Sequence, residues 1–245
     1  MKECRYEYMF PRDFIEAVKA MPVFIVPCGL LEWHGNHLPL GQDALKAHGI
    51  CLEVARKLGG GIVLPPNYYG RVGYTTYTGT MVFSEEAMYP LFHEIFGQLK
   101  KMGGRVIALI TGHYGPRQVD FVKKVASDFM AANPGIHVIA RPEYEDVLVD
   151  GQTPGDHAGK WETSMFWAMY PDKIRWATYE TKMSDMQIYA PPPSADDYRE
   201  GPDWCFREDL RETSSVELGR KAVDAISNKI CADIQKALET HGNQF

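Results

Sequence analysis

The chain has 245 residues, is 45% hydrophobic and 24% charged, and carries 26 Lys and Arg against 32 Asp and Glu, a net charge of −6. That length suits a single α/β core, and the composition is that of an ordinary globular protein, which excludes disorder, collagen and coiled coil as the main class. The mild acidity and the lack of a basic cluster give no footprint for a nucleic-acid partner.

The chain opens on Met1-Lys2-Glu3-Cys4-Arg5-Tyr6-Glu7, with no apolar core of a signal peptide. Pro22–Cys28 (PVFIVPC) is a short apolar run that reads as a buried strand. Ala44–Leu58 follows with Ile50, Cys51, Val54, Ala55 and Leu58 at helical spacing, and Gly59-Gly60-Gly61 stops it. Ile62–Leu64 reads as the next strand. Ser84 suits the cap of a helix through about Met102, with Glu85 and Glu86 at its positive end, and Pro90 is expected to kink it. Arg105–Thr111 (RVIALIT) is the strongest strand signal. Its apolar run, Val106–Ile110, is far shorter than the ~20 residues that span a bilayer. Pro116 fits the first turn of a helix to about Ala132, and Ile136–Ala140 is a further strand.

Met165–Tyr170 is an apolar helical run stopped by Pro171. Thr178–Arg211 is irregular and reads as a long surface excursion, packed over the site or on a neighbouring subunit. Ser214-x-x-Glu217 reads as a capping box opening a last helix, whose stripe is Leu218, Ala222, Ala225, Ile226, Ile230, Ile234 and Leu238. Alternating strands and helices predict a mostly parallel sheet covered on both faces. Cys4, Cys28, Cys51, Cys205 and Cys231 form no Cys-x-x-Cys pair, which fits buried thiols in a reducing cytoplasm. No Gly-x-Gly-x-x-Gly or Walker loop accompanies the strands, which weakens a nucleotide-binding reading.

Three segments that follow strands or open helices carry chemistry. The first runs Gly29-Leu30-Leu31-Glu32-Trp33-His34-Gly35-Asn36-His37-Leu38-Pro39-Leu40-Gly41-Gln42-Asp43. Glu32 and His34 are two apart and face the same way in extended backbone, while Asp43 opens a helix. A Glu, a His and an Asp gathered after one strand suit a divalent cation. The second, Thr111-Gly112-His113-Tyr114-Gly115-Pro116, puts His113 beyond the carboxyl end of its strand, where open α/β sheets bind ligands. The third is Asp156-His157-Ala158-Gly159-Lys160-Trp161-Glu162-Thr163-Ser164; Glu162 lies near a helix start and His157 in the loop before it, placed to exchange a proton. Taken singly, Asp43 also reads as a helix cap, Glu162 as a first-turn acid and the histidines as ordinary side chains.

Together and in this order, Glu-x-His-Gly-x-His-Leu-Pro-Leu-Gly-x-Asp, Thr-Gly-His and Asp-His-Ala-Gly-x-x-Glu-Thr-Ser resemble the creatininase (creatinine amidohydrolase) family, from about Pro22 to Asp172. The resemblance implies one three-layer α/β/α sandwich with a mostly parallel central sheet over 1–245, acting as a metal-dependent amidohydrolase. It also implies two divalent cations per chain, Zn²⁺ foremost with Mn²⁺ or Fe²⁺ as alternatives. Glu32, Asp43 and His113 would hold one; His34, Asp43 and Glu162 the other, with Asp43 shared. His157 stands at the family's catalytic histidine, with Asp156 the neighbouring acid. Members cleave C–N bonds of small cyclic or linear amides, and many assemble as hexamers. Two His and three carboxylates are borderline-to-hard donors that suit these metals, and a metal activates water and polarises a carbonyl.

Two positions depart from the creatinine-acting type. Its Glu two residues after the second-motif His is here Gly115, and its Trp four residues before the catalytic His is here Thr153. Both argue for an amide other than creatinine, such as a lactam, a formamide or a small peptide bond. Tyr68, Tyr69, Tyr74, Tyr77, Tyr114 and Trp161 are candidates to line the pocket, and equally core aromatics. The broader family often has Gly-His-Gly-Gly-Asn at the second motif, and the absence of that Asn here leaves open a non-catalytic relative that keeps the fold as a binding scaffold.

Overall fold

In the computed structural model, which describes residues 2–180 and 208–242, four strands form one sheet: β1 (Val23–Cys28), β2 (Ile62–Val63), β3 (Val106–Thr111) and β4 (His137–Pro142). All pair in parallel, in the order β2-β1-β3-β4. The register runs Val23↔Val106 through Cys28↔Thr111, so β1 and β3 end side by side.

Alternation along the strands sends side chains to two separate cores. Val23, Ile25, Val106, Ala108 and Ile110 face one side. There they meet Ile50 and Val54 of α2 (Gln42–Leu58), Met165 of α5 (Lys160–Met169), and Ala222, Ile226 and Ile230 of α7 (Val216–Gly242). Phe24, Val26, Ile107 and Leu109 face the other. These pack on Phe92 and Phe96 of α3 (Glu85–Lys101) and Phe121 and Val125 of α4 (Pro116–Ala132). Period-two strands between two helical layers give the α/β/α sandwich and leave the strand ends clear for chemistry. Among the described residues, no helix is long and apolar enough to cross a membrane.

The predicted strands and helices are present with shifted ends. Ser84 caps α3 through a bond from the Ala87 N–H (3.3 Å), and α3 runs through Pro90, whose place near the start removes a single backbone donor. Pro116 opens α4, and β4 extends past Ala140 to Pro142. Helix α1 (Pro11–Ala20) was not foreseen; it has Pro11 at its first position and lays Phe14, Ala17 and Val18 against the second core. The short α6 (Leu210–Thr213) was also unforeseen.

Two expectations need correction. Helix α5 starts at Lys160 rather than near Met165, because Asp156 reaches forward to the N–H groups of Trp161 (2.8 Å) and Glu162 (3.1 Å). The last helix is capped by Ser215 rather than Ser214. Ser215 Oγ accepts from the Leu218 N–H at 3.0 Å, while its own N–H donates to Ser164 Oγ on α5 at 3.1 Å. That second bond sets the register of α7 on α5. Of the expected excursion Thr178–Arg211, positions 181–207 lie outside the described residues, as does Cys205.

Candidate metal centre

The parallel pairing of β1 with β3 puts the loops after Cys28 and Thr111 at one sheet edge, and α2 and α5 begin beside them. Gly29 and Gly112 allow α2 to sit that close. A Cβ at Gly112 would lie 2.3 Å from the Asp43 carbonyl oxygen, and one at Gly29 would lie 2.3 Å from the Ala44 nitrogen. The seven predicted site residues therefore converge. Glu32, His34, Asp43 and Glu162 are 0–1% exposed, and His113 and His157 are also buried.

Asp43 stands at the middle. Its Oδ1 lies 2.9 Å from His34 Nε2, which is also 3.4 Å from Glu162 Oε2. Its Oδ2 lies 3.2 Å from His113 Nδ1, which is also 3.1 Å from Glu32 Oε2. Two three-residue groups result, Glu32/Asp43/His113 and His34/Asp43/Glu162, each with its donor atoms within 4.8 Å of one another. Glu32, His34 and His157 form a third such group.

Backbone carbonyls fix the tautomers of both histidines. His34 Nδ1–H donates to the Glu32 carbonyl (3.0 Å), and His113 Nε2–H donates to the carbonyl of Val72 (2.6 Å). Carbonyls only accept, so in each neutral ring the inward nitrogen carries a lone pair. Those lone pairs face carboxylate oxygens. Glu32 Oε2 and both Asp43 oxygens have no neutral hydrogen-bond donor among the described residues. A buried set of acceptors facing acceptors is stable only with positive charge between them, from protons or from metal ions. The donor set thus fits divalent cations.

The titration behaviour of these side chains agrees. Burial pushes the His34 pKa down, but Asp43 and Glu162 outweigh it and raise it to about 9. His113 is raised for the same reason by Glu32 and Asp43. Burial pushes Asp43 up, but His34 and His113 hold it well below the usual carboxylate range. Glu32 is held down against burial by His113 and His157.

His157 sits over this cluster with its ring centroid 4.3 Å from that of His34 and its Nδ1 3.8 Å from Glu32 Oε2. Its Nε2–H donates to the Trp33 carbonyl at 3.0 Å. Burial, and His34 beside it, push its pKa down to about 3. Asp156 has both oxygens on backbone N–H groups of α5, and burial followed by Glu162 raises its pKa to about 6.

A cavity of about 170 Å³ opens on the cluster, lined by Asp43, His113, Asp156, His157 and Glu162, with Tyr114 and Tyr144 as its aromatic walls. Of the candidate aromatics, Tyr114 lines it. Tyr74 and Tyr77 instead pack around Trp33, with Tyr77 stacked on it at 4.6 Å. Trp161 belongs to the core between the sheet and α7.

Sequence reasoning missed what stands behind Glu162. Lys46 is fully buried; its Nζ donates to Glu162 Oε1 at 2.8 Å and lies 2.8 Å from Glu143 Oε1 and against the Tyr114 hydroxyl. Tyr114 in turn donates to Glu143 Oε1 at 2.5 Å. The sequence did hold a signal. Asp43, Lys46, Ala47, Ile50, Cys51 and Val54 form one stripe of α2, and the stripe is buried, so a lysine within it must find buried partners.

Comparison with known proteins gives a consistent picture. A family model described as creatininase, creatinine amidohydrolase, matches residues 7–234. A creatinine amidohydrolase of Pseudomonas putida is 25% identical over 172 residues, 62% of this chain. A mycofactocin precursor peptide peptidase of Mycolicibacterium smegmatis is 26% identical over 160 residues, 63% of this chain. The matches span 66% and 60% of those two proteins, under two thirds of each. A solved structure of creatininase with Mn superposes with a TM-score of 0.74 at 20% identity, covering 96% of this chain and 98% of the other. That likeness shows the fold.

Proposed function

This chain belongs to the creatininase family, and from that premise we propose that it is a hydrolase of a small cyclic or linear amide other than creatinine, working with two divalent cations. Glu32, Asp43 and His113 hold one cation and His34, Asp43 and Glu162 the other. The observation that carries this reading is the position of Asp43, with one oxygen on each of two histidines whose outer N–H groups are committed to backbone carbonyls. When bound, such cations lower the pKa of water toward about 7 and polarise an amide carbonyl. Zn²⁺ suits the donors best, with Mn²⁺ or Fe²⁺ as alternatives.

The residues around the centre supply the rest. His157, buried over the centre with Nδ1 3.8 Å from Glu32 Oε2, accepts the proton that the attacking water loses and returns it to the departing amine. The Trp33 carbonyl takes the Nε2–H and so orients the ring, which leaves Nδ1 as the atom that accepts and returns the proton. Asp156 ties down the first turn of α5 and so positions Glu162. Tyr114 and Tyr144 bound a space of about 170 Å³, which limits the reacting end to a small group. By the same family membership we propose that the chain works as one domain in a homo-oligomer, a hexamer, and from its scattered cysteines that it works in the cytoplasm.

The test is metal content by plasma mass spectrometry on protein purified without chelator, followed by turnover of lactams, N-formyl compounds and short peptides. About two cations per chain with hydrolysis that His157→Ala abolishes is the expected result. Protein that takes up no Zn²⁺ or Mn²⁺ overturns the hydrolase reading in favour of a binding scaffold.

A further inference from the structure

Behind the centre stands a group that the two proposed ligand sets do not use. Lys46 projects from α2 one turn after Asp43 and is completely buried. Its ammonium touches Glu162 Oε1 and Glu143 Oε1, both at 2.8 Å, donates to the Gly112 carbonyl at 3.3 Å, and lies over the Tyr114 ring at 4.2 Å from its centroid. Glu143 follows β4, and Gly112 follows β3. One lysine therefore joins α2, the ends of two strands and α5 at a single buried point.

The consequence falls on Glu162. A carboxylate in the first turn of a helix can rotate and offer a cation one oxygen or two. Here Oε1 is occupied by Lys46, and Oε2 accepts from the Ala158 N–H (2.8 Å) while facing His34. Oε2 is the oxygen turned toward His34. Three of the other four ligand residues are held by neutral groups. Glu32 has Oε1 fixed by the Tyr74 N–H at 2.8 Å, and His34 and His113 are fixed by carbonyls. Glu162 is thus the ligand oriented by a charged side chain, and that side chain is balanced by Glu143. At position 115, where the creatinine-acting type has a carboxylate, this chain has Gly115.

We propose that Lys46 is a positioning residue, which confines Glu162 to single-oxygen ligation and so determines cation affinity at the His34/Asp43/Glu162 position while leaving the Glu32/Asp43/His113 position untouched. Glu143 serves to neutralise the lysine. This rests on the two-cation reading above.

The experiment is a titration of chelator-stripped protein with Zn²⁺, with affinity read by competition against a chromogenic chelator, so that no turnover is needed. Two variants are compared with the wild type: Lys46→Met, and the double variant Lys46→Met with Glu143→Gln, which removes both buried charges together and protects the fold. In both, one Zn²⁺ is expected to bind as in the wild type and the other about 10- to 100-fold more weakly, the usual effect of losing a group that orients a ligand. If the double variant binds both ions with wild-type affinity, Lys46 only balances Glu143 and the proposal is overturned. Equal weakening of both ions also overturns it, because the effect is then general to the fold. Wild-type protein that binds no Zn²⁺ removes the two-cation reading and this inference with it.

Discussion

His113 Nδ1 lies 3.2 Å from Asp43 Oδ2, and the proton that would join them is not available from the neutral ring, because Nε2–H is given to the Val72 carbonyl. The same holds for His34 Nε2 and the other Asp43 oxygen. Without a cation each ring must take a second proton, and both pKa values are raised accordingly, His34 to about 9. A binding cation displaces those protons. Zn²⁺ added to stripped protein at pH 7.5 should therefore release about two protons per chain, seen calorimetrically as a binding heat that changes with the ionisation enthalpy of the buffer. A heat that is the same in every buffer would sink this account of the site.

The same pKa shift gives a pH dependence of stability. A group whose folded pKa is raised contributes fully below its unfolded pKa and loses that contribution as pH rises through the folded value. For His34 the window runs from about 6.5 to about 9. Stripped protein should lose on the order of 3 kcal/mol across that window, followed by urea unfolding, and Zn²⁺-loaded protein should not. A flat profile for stripped protein between these values would contradict the assignment.

Ligand substitutions should separate the two positions by count. Asp43→Ala removes the shared carboxylate and should reduce the metal content from two cations to about none. Glu32→Gln and Glu162→Gln should each leave about one. On the proposed reading, in which both cations act on the same bond, turnover should fall to background in all three. If Asp43→Ala retains two ions, Asp43 does not bridge.

Much of this site was legible because its chemistry lies in short motifs, two placed at the end of a strand and the third at the start of a helix. The strands RVIALIT and PVFIVPC announce themselves by apolar runs, and parallel pairing then brings His113 beside Glu32 and His34 without further information. The start of α5 was not legible, because its capping carboxylate, Asp156, stands four residues before Lys160 in a loop rather than immediately before the helix. The cap of α7 was displaced to Ser215 by Ser164, a partner 51 positions away that no local pattern contains. Lys46 could have been found from its place on the apolar stripe of α2, but Glu143 could not. The contact of Glu143 with Lys46 exists only once β4 is docked beside β3.

Close packing of α7 on α5 bears on the site from its far side. Gly219 sits where a Cβ would lie 1.9 Å from the Ser164 carbonyl oxygen and 2.9 Å from the Met165 nitrogen, two and three residues after Glu162. Gly→Ala in a helix gains up to about 1 kcal/mol from propensity alone. At Gly219 that gain is outweighed, because the backbone of α5 must move aside, and overpacking of this kind costs about 1–3 kcal/mol. Gly97 in α3 is the control, since nothing lies within 4 Å of its Cβ position. Gly97→Ala should raise the melting temperature, by about 2–4 °C per kcal/mol for a chain of this size. Gly219→Ala should lower it. Because α5 carries Glu162, Gly219→Ala should also weaken Zn²⁺ at the His34/Asp43/Glu162 position while Gly97→Ala leaves it unchanged. Equal melting shifts of the same sign in the two variants would show that propensity, not the helix contact, decides both.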